Sequence, residues 1–308
     1  MGAIFFDAAM HDDERRTRLY SGDVFIYSAS RGTRQLIELA REMLEKAFAP
    51  FDPRKVQEHL TPEEVAKVLS KLKPKFIHHP ECKEIIPNIM NEMGVDLDRL
   101  YFDVPRLRSA YPSDFLSAGI AYAFHPHRDT WYSAPMCQLN WWMPIYPLDP
   151  NNAMGFYPRY FEEPVKNSSD RYNYYEWNAN NRASAAKHVK TDTREQPKAQ
   201  QTIENVTVRY LPPPGGIVLF SGSHLHESVP NTTDLTRYSV DFRTVHLDDL
   251  EARKGAPNVD SRSTGTTMRD YLHATDLSHL PENVIRSYDD GTETAEKILY
   301  FGDRLAQR

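Results

Sequence analysis

Cysteine is almost missing from this chain: 308 residues hold two, Cys82 and Cys137. That pair is too few and too far apart for a disulfide framework or a four-thiolate zinc site, so a reducing, cytoplasmic setting is expected. A basic surplus is missing too. Lysine and arginine number 37 against 43 acidic residues, a formal charge of -6, which argues against nucleic acid as a partner but leaves an anionic small molecule open. No stretch approaches the length of a membrane span, so no membrane partner is expected. Met1 to Met10 carries a short apolar patch without the basic start or long apolar core of a secretory signal. The Asn-x-Ser/Thr triplets at Asn167, Asn205 and Asn231 are therefore read as coincidence. Internal repeats and low-complexity tracts are lacking as well.

Hydrophobic residues at 40% and charged residues at 26% suffice for a sizeable core, and one elaborated domain over residues 1–308 is expected. A strand is expected over Val24 to Tyr27. Leu36, Ile37, Ala40, Met43, Leu44 and Ala47 then recur at helical spacing. Thr61-Pro62-Glu63-Glu64 is a capping box with proline at the first helical position, opening a helix that Pro74 should close. A third helix is predicted around Ile85 to Met93, ending at Gly94 with Pro87 in its first turns. Residues 1–99 thus read as a mainly helical support.

From Leu100 the pattern changes to short apolar or alternating runs between turns: Leu100 to Phe102, Gly119 to Phe124, Cys137 to Ile145, Gly155 to Tyr157, Val206 to Tyr210, Ile217 to Phe220 and Tyr238 to Val245. This predicts a mainly β core over 100–248, an antiparallel barrel or sandwich with helices outside. Residues 149–201, polar and rich in aromatics, read as a lid or a surface excursion. Residues 249–308 read as a C-terminal extension of coil and short helices.

Two islands carry the chemistry. His125-Pro126-His127-Arg128-Asp129 places a histidine and a carboxylate one residue apart, and His226-Glu227-Ser228-Val229-Pro230-Asn231 adds a remote histidine, with Arg237 eleven residues on. Such a set can hold one face of an octahedral metal and leave the opposite face open. His-x-Asp/Glu alone proves nothing: about two such triplets are expected by chance, and four occur, at His11, His79, His127 and His246. Context selects His127 and Asp129, which follow one expected strand and precede another. His125 and His224 share parity with the chosen histidines and stay open as hydrogen-bond donors behind the ligands or as substitutes for them.

Arg237 would begin a strand joined by a hairpin to His226 and point inward with Ser239, a bidentate clamp for a carboxylate whose far end could chelate the metal. A small diacid such as 2-oxoglutarate satisfies both ends. The alternative for Arg237 is a salt bridge to Asp241, with Arg243 as substitute anchor. Along Cys137 to Ile145, Gln138, Asn140 and Trp142 alternate with the apolar positions, so the two amides are candidate pocket residues for the co-substrate. Tyr122, Trp142, Arg243 and Tyr157 are candidates for the substrate pocket.

At this point the chain resembles the phytanoyl-CoA dioxygenase-like branch of the iron(II)/2-oxoglutarate-dependent oxygenases. The resemblance rests on His127-Arg128-Asp129, on Leu148 to Pro158, and on Pro214-Gly215-Gly216-Ile217-Val218-Leu219-Phe220 through His226 to Arg237. Met154 interrupts the family's usual Asn-Gly pair, and Arg159-Tyr160-Phe161 replaces its Gly-Ser-His. The resemblance implies a double-stranded β-helix (jelly-roll, cupin-like) core. It further implies Fe(II) on His127, Asp129 and His226, O2 as oxidant, and conversion of 2-oxoglutarate to succinate and CO2 with hydroxylation of a small-molecule substrate. Desaturation and ring closure share that site. Outside this class stand a serine hydrolase built on Ser223, a histidine and Asp241, and a β-barrel binding module without turnover. A homodimer is left open.

Overall fold

A computed structural model describes residues 2–121, 125–180, 188, 194–204 and 208–289. Near the N-terminus, β1 (Ile4–Phe6) and β2 (Val24–Tyr27) flank α1 (Asp12–Tyr20). α1 is highly charged and short of apolar residues, which hides it from hydrophobic spacing. Asp12, Asp13 and Glu14 fill its first turn, where carboxylates complement the helix dipole, and buried Arg15 ties it to the Met93 carbonyl.

Three helices follow. α2 (Arg31–Phe48) starts at a Ser30/Thr33 capping box and buries Leu36, Ile37, Ala40, Leu44 and Phe48. Each of the four larger side chains contributes about 1.5–3 kcal/mol on burial. α3 (Pro62–Ile77) opens on the predicted Thr61/Glu64 box but does not stop at Pro74. Proline costs only one backbone hydrogen bond so near the end, and fully buried Phe76 anchors the last turn. α4 (Pro80–Glu92) begins earlier than predicted, so Pro87 lies in its middle.

Beyond these, β3 (Leu100–Phe102), β4 (Arg106–Ala110), β5 (Leu139–Pro144) and β6 (Met154–Phe156) precede α5 (Tyr174–Asn180). Then come β7 (Val208–Arg209), β8 (Ile217–Ser221), β9 (His226–Ser228), β10 (Arg237–His246), α6 (Leu247–Glu251), β11 (Leu272–His273) and α7 (Glu282–Tyr288). The large sheet runs β1-β2-β8-β5-β10-β3-β11, with β4 also beside β10, and the small one runs β7-β6-β9. Apart from the parallel β1–β2 pair, both are antiparallel. The helical third is therefore not only an outer support, since β2 is hydrogen-bonded into the large sheet against β8.

Alternation along the strands separates two environments. Leu139, Trp141 and Met143 of β5, with Tyr238, Val240 and Phe242 of β10, join the helices in one apolar cluster. The opposite face turns toward the small sheet, and there Val24, Trp142, Met154, Phe156, Val218 and Phe220 form an inner cluster drawing on both sheets.

Two expectations about the route of the chain fail. Gly119–Ala121 forms a 3-10 turn rather than a strand, and residues 122–124, including Tyr122, lie outside the described residues. The hairpin between His226 and Arg237 is absent: β9 pairs with β6 in the small sheet, while β10 pairs with β5 and β4 in the large one. The connecting loop crosses between sheets, and the Asn231 amide pins it to the Ala110 and Leu235 carbonyls. Segment 149–201 is not wholly an excursion either, since it contains β6. No helix among the described residues is long and apolar enough to cross a membrane.

Candidate metal centre

Two histidines face each other across a backbone bridge. The His127 N–H donates to the His226 carbonyl and the His226 N–H donates to the His127 carbonyl, each at 2.9 Å. Their side chains repeat one device: Nδ1 of His127 lies 2.9 Å from the His125 carbonyl, and Nδ1 of His226 lies 2.9 Å from the His224 carbonyl. A carbonyl only accepts, so Nδ1 carries the proton and the Nε2 lone pair is left free, the tautomer a metal requires. His125 and His224 thus serve through their backbones. The His224 ring packs on Phe161 with centroids 4.6 Å apart, turned to other company than the ligand set.

Asp129 completes the set. Its N–H is held by the Gly222 carbonyl at 2.9 Å, and a Cβ on Gly222 would sit 3.1 Å from Gln138 Nε2 and 3.4 Å from Asp129 Cβ. Glycine at the end of β8 therefore permits the close approach of the ligand loop. Oδ1 of Asp129 is 3.5 Å from His127 Nε2 and 4.0 Å from His226 Nε2. One ligand atom from each of the three buried residues lies within 4.8 Å of the others.

The second oxygen of Asp129 is occupied otherwise. Gln138 Nε2 and Asn140 Nδ2 both donate to Oδ2 at 2.9 Å, and Arg243 Nε donates at 3.3 Å. Tyr271 backs this clamp by donating to Gln138 Oε1 at 2.7 Å. Three donors on Oδ2 leave Oδ1 alone to face the histidines, which fits a single-oxygen ligand. Burial opposes the charged carboxylate, but Arg243 and the histidine rings outweigh it and hold Asp129 well below the usual range. Burial, then proximity to His127, pushes His226 down to about 4, so its ring is neutral at physiological pH.

Gln138 and Asn140 line the cavity, and the partner their amide nitrogens hold in this structure is Asp129. Arg243, the predicted substitute anchor, is likewise engaged: besides Asp129 it pairs with Asp103 at 3.3 Å and lies 3.7 Å from Asp241.

Arg237 behaves differently. It is 5% exposed, and its Nη2 donates to Ser228 Oγ at 3.0 Å, while Nε and Nη1 are buried without a partner. Its guanidinium lies 5.7 Å from the Trp142 ring centre, and burial lowers its pKa to about 10. The alternative salt bridge fails because Asp241 instead takes Arg108 at 2.7 Å. Ser239 is fully buried on the same face, but its hydroxyl has no partner and it does not line the cavity. The serine beside Arg237 is Ser228, two residues after His226 and so on the same strand face.

These groups share a cavity of about 410 Å³, lined also by Trp142, Tyr172, Trp177, Asp270 and Tyr271. Tyr157 is not on its wall. Its hydroxyl donates to Glu227 Oε1 at 2.6 Å, and Glu227 is the residue that reaches the cavity.

Between the two ligands of the first island, Arg128 is 1% exposed. It donates to Asp260 at 3.0 Å, to the Ser223 and Glu163 carbonyls at 2.6 and 3.0 Å, and to the Tyr160 carbonyl. Asp260 also accepts from Trp131 Nε1 at 2.7 Å and from the Val165 N–H at 2.9 Å. Sequence reasoning missed Asp260 and Tyr271 altogether, since nothing local marks either. Ser228 stood inside the second island and could have been found from its parity with His226.

No family model matches the chain. No curated protein matches it either. Among solved structures, EvdO2 from Micromonospora carbonacea var. aurantiaca is similar at 13% identity over 80% of this chain and 94% of that one, with a TM-score of 0.45. The same protein complexed with 2-oxoglutarate gives 14% identity, 77% and 92% coverage and a TM-score of 0.44. The non-heme alpha ketoglutarate dependent epimerase SnoN from nogalamycin biosynthesis gives 14%, 82%, 98% and 0.37. These are loose likenesses of shape, and the chemistry rests on the residues of this chain.

Proposed function

We propose that this protein is an iron(II)- and 2-oxoglutarate-dependent oxygenase of the phytanoyl-CoA dioxygenase-like kind, acting on a small molecule. On this reading the two sheets are a double-stranded β-helix core. Tyr172 and Trp177, from the described part of segment 149–201, line the cavity and would cover the site. One observation carries the reading: two Nε2 atoms and a single carboxylate oxygen converge while that carboxylate's other oxygen is saturated by three donors.

His127, Asp129 and His226 would hold the metal through one atom each, leaving positions open for a chelating keto acid and dioxygen. The buried N–H groups of Arg237 that lack a partner fit the distal carboxylate of 2-oxoglutarate. When bound, iron and 2-oxoglutarate supply, with O2, an oxidant able to take hydrogen from an unactivated C–H bond, ending as succinate and CO2. The chain's own residues fix ligand tautomers, hold Asp129 charged and single-sided, and orient the co-substrate from Arg237. Hydroxylation of the substrate is the outcome proposed for this site. A carboxylate ligand in place of a vacant position disfavours halogenation.

A serine hydrolase finds no support in the geometry. Ser223 Oγ contacts Met136 Sδ at 4.0 Å, and Asp241 is taken by arginines. The test is turnover without substrate: with Fe(II) and 2-oxoglutarate in air, the protein should form succinate slowly, and His226→Ala should not. Succinate formation equal in wild type and variant would end the proposal, and none in either would favour a binding module.

A further inference from the structure

Strand β10 places Arg243 between two partners. Register sets it opposite Asn140 of β5. On its other side the Asp103 N–H donates to the Arg243 carbonyl at 2.9 Å, and the Arg243 N–H donates to Asp103 Oδ1 at 2.7 Å. The guanidinium then bridges two carboxylates: Nη1 lies 3.3 Å from Asp103 Oδ2, and Nε lies 3.3 Å from Asp129 Oδ2. The side chains of Arg243, Asp103 and Asp129 are 18%, 4% and 10% exposed, and charges so placed are screened far less than surface ones.

The surrounding charges have other partners. Asp103 also accepts from Arg106, and Asp241, 3.7 Å from Arg243, takes Arg108 at 2.7 Å and attracts Lys73. Glu227 and Asp270, the remaining carboxylates on the cavity wall among the described residues, accept from Tyr157 and Tyr174. Arg243 is the one arginine or lysine ion-paired with Asp129 among the described residues. Asp129 thus meets the site with its charge already matched, while His127 and His226 offer a lone pair rather than a charge. A metal held by these three would receive little net negative charge from the chain. Such a donor set favours the lower of two charge states, because Arg243 repels a trivalent ion more than a divalent one and draws electron density from the carboxylate it bonds.

We infer that Arg243 is a positioning residue acting through Asp129, which holds a bound iron in the ferrous state by raising its Fe(III)/Fe(II) potential. The inference rests on the oxygenase reading, which names iron(II) as the working state.

The test uses the full-length protein loaded with one equivalent of iron under argon, without 2-oxoglutarate. Its midpoint potential is read by redox titration of the ferric electron paramagnetic resonance signal. Arg243→Gln keeps a donor near Asp129 but removes the charge, and should shift the balance toward ferric iron at least tenfold, a fall in potential of about 59 mV or more. Arg243→Lys should stay close to wild type. Asp103→Asn removes a counter-charge of Arg243 at nearly constant shape and should move the potential upward. Thermal unfolding runs beside each titration, since a merely structural role would change the melting temperature without moving the potential. An unchanged or raised potential in Arg243→Gln overturns the inference and leaves the oxygenase reading standing. So does an Arg243→Lys variant as low as Arg243→Gln, which would trace the shift to packing rather than charge. Should Arg243→Gln not fold, Asp103→Asn decides, and an unchanged or lowered potential there is equally fatal. A wild-type protein that binds no iron refutes the oxygenase reading and this inference with it, and is seen on loading before any potential is measured.

Discussion

Replacing Arg237 by methionine should move stability and ligand binding in opposite directions. In the ligand-free protein the guanidinium is buried, and two of its donor nitrogens lack partners. Leaving a buried polar group unsatisfied costs about 1–3 kcal/mol. Against this stand one hydrogen bond to Ser228, contributing about 1 kcal/mol, and the Trp142 ring, contributing about 1 kcal/mol. Over the two nitrogens this is about 2–6 kcal/mol against about 2 kcal/mol, so Arg237→Met is predicted to leave stability unchanged or to raise it by up to about 4 kcal/mol. For a chain of this length each kcal/mol is roughly a 2 °C rise in Tm, or less. The same change leaves the distal carboxylate of 2-oxoglutarate without its counter-ion, a loss of about 2–5 kcal/mol, or about 30-fold to several thousand-fold in Kd. Urea unfolding of the metal-free protein and calorimetry of 2-oxoglutarate with Fe(II) under nitrogen read the two effects. A variant destabilised by more than about 2 kcal/mol that still binds 2-oxoglutarate normally would show Arg237 to be a structural residue and refute the reasoning.

The clamp on Asp129 Oδ2 predicts that Asn140→Ala weakens metal affinity by about 10–100-fold with little change in fold, as read by cobalt(II) titration; unchanged affinity would count against it. Asp260→Ala leaves Arg128 buried without its carboxylate and should cost about 3–5 kcal/mol in urea unfolding; a loss under about 1 kcal/mol would show that the carbonyls around Arg128 suffice. Burial lowers His226 to about 4 and, with help from His226 and Arg128, His224 to about 3. An unfolded chain protonates such rings first, so metal-free stability should be full above about pH 6.5 and decline as pH falls toward 4. Asp129, already held low, would enter only below its ordinary pKa of about 3.9. A flat stability profile from pH 7 to 4.5 would contradict this.

Much of the centre was legible because it is written in short-range grammar. A ligand pair one residue apart, a histidine after a buried strand and an arginine eleven residues on can be read without knowing the fold. The alternation of Gln138, Asn140 and Trp142 against Leu139, Trp141 and Met143 separated two faces without saying which turned inward, and the inner and outer clusters follow that separation. What the sequence hid is long-range. Asp260 meets Arg128 across 132 positions, and Tyr271 meets Gln138 across 133, so no local spacing records either contact. The partner of Arg237 was mistaken for a related reason. A hairpin would have kept Ser239 beside it, but the chain crosses between sheets after His226 and brings Ser228 there instead. Pro74 misled because the rule that proline ends a helix weighs backbone geometry alone, and Phe76 adds core burial beyond it.

If this protein works as proposed, one iron is bound through His127, Asp129 and His226 with 2-oxoglutarate chelated beside them, and an anaerobic optical titration tests this most directly. Addition of 2-oxoglutarate to the Fe(II)-loaded protein should raise a visible charge-transfer band that saturates at one equivalent and is missing in Asp129→Ala. A wild-type protein that binds Fe(II) and 2-oxoglutarate yet shows no band, or an Asp129→Ala variant that keeps the band at full strength, would contradict it.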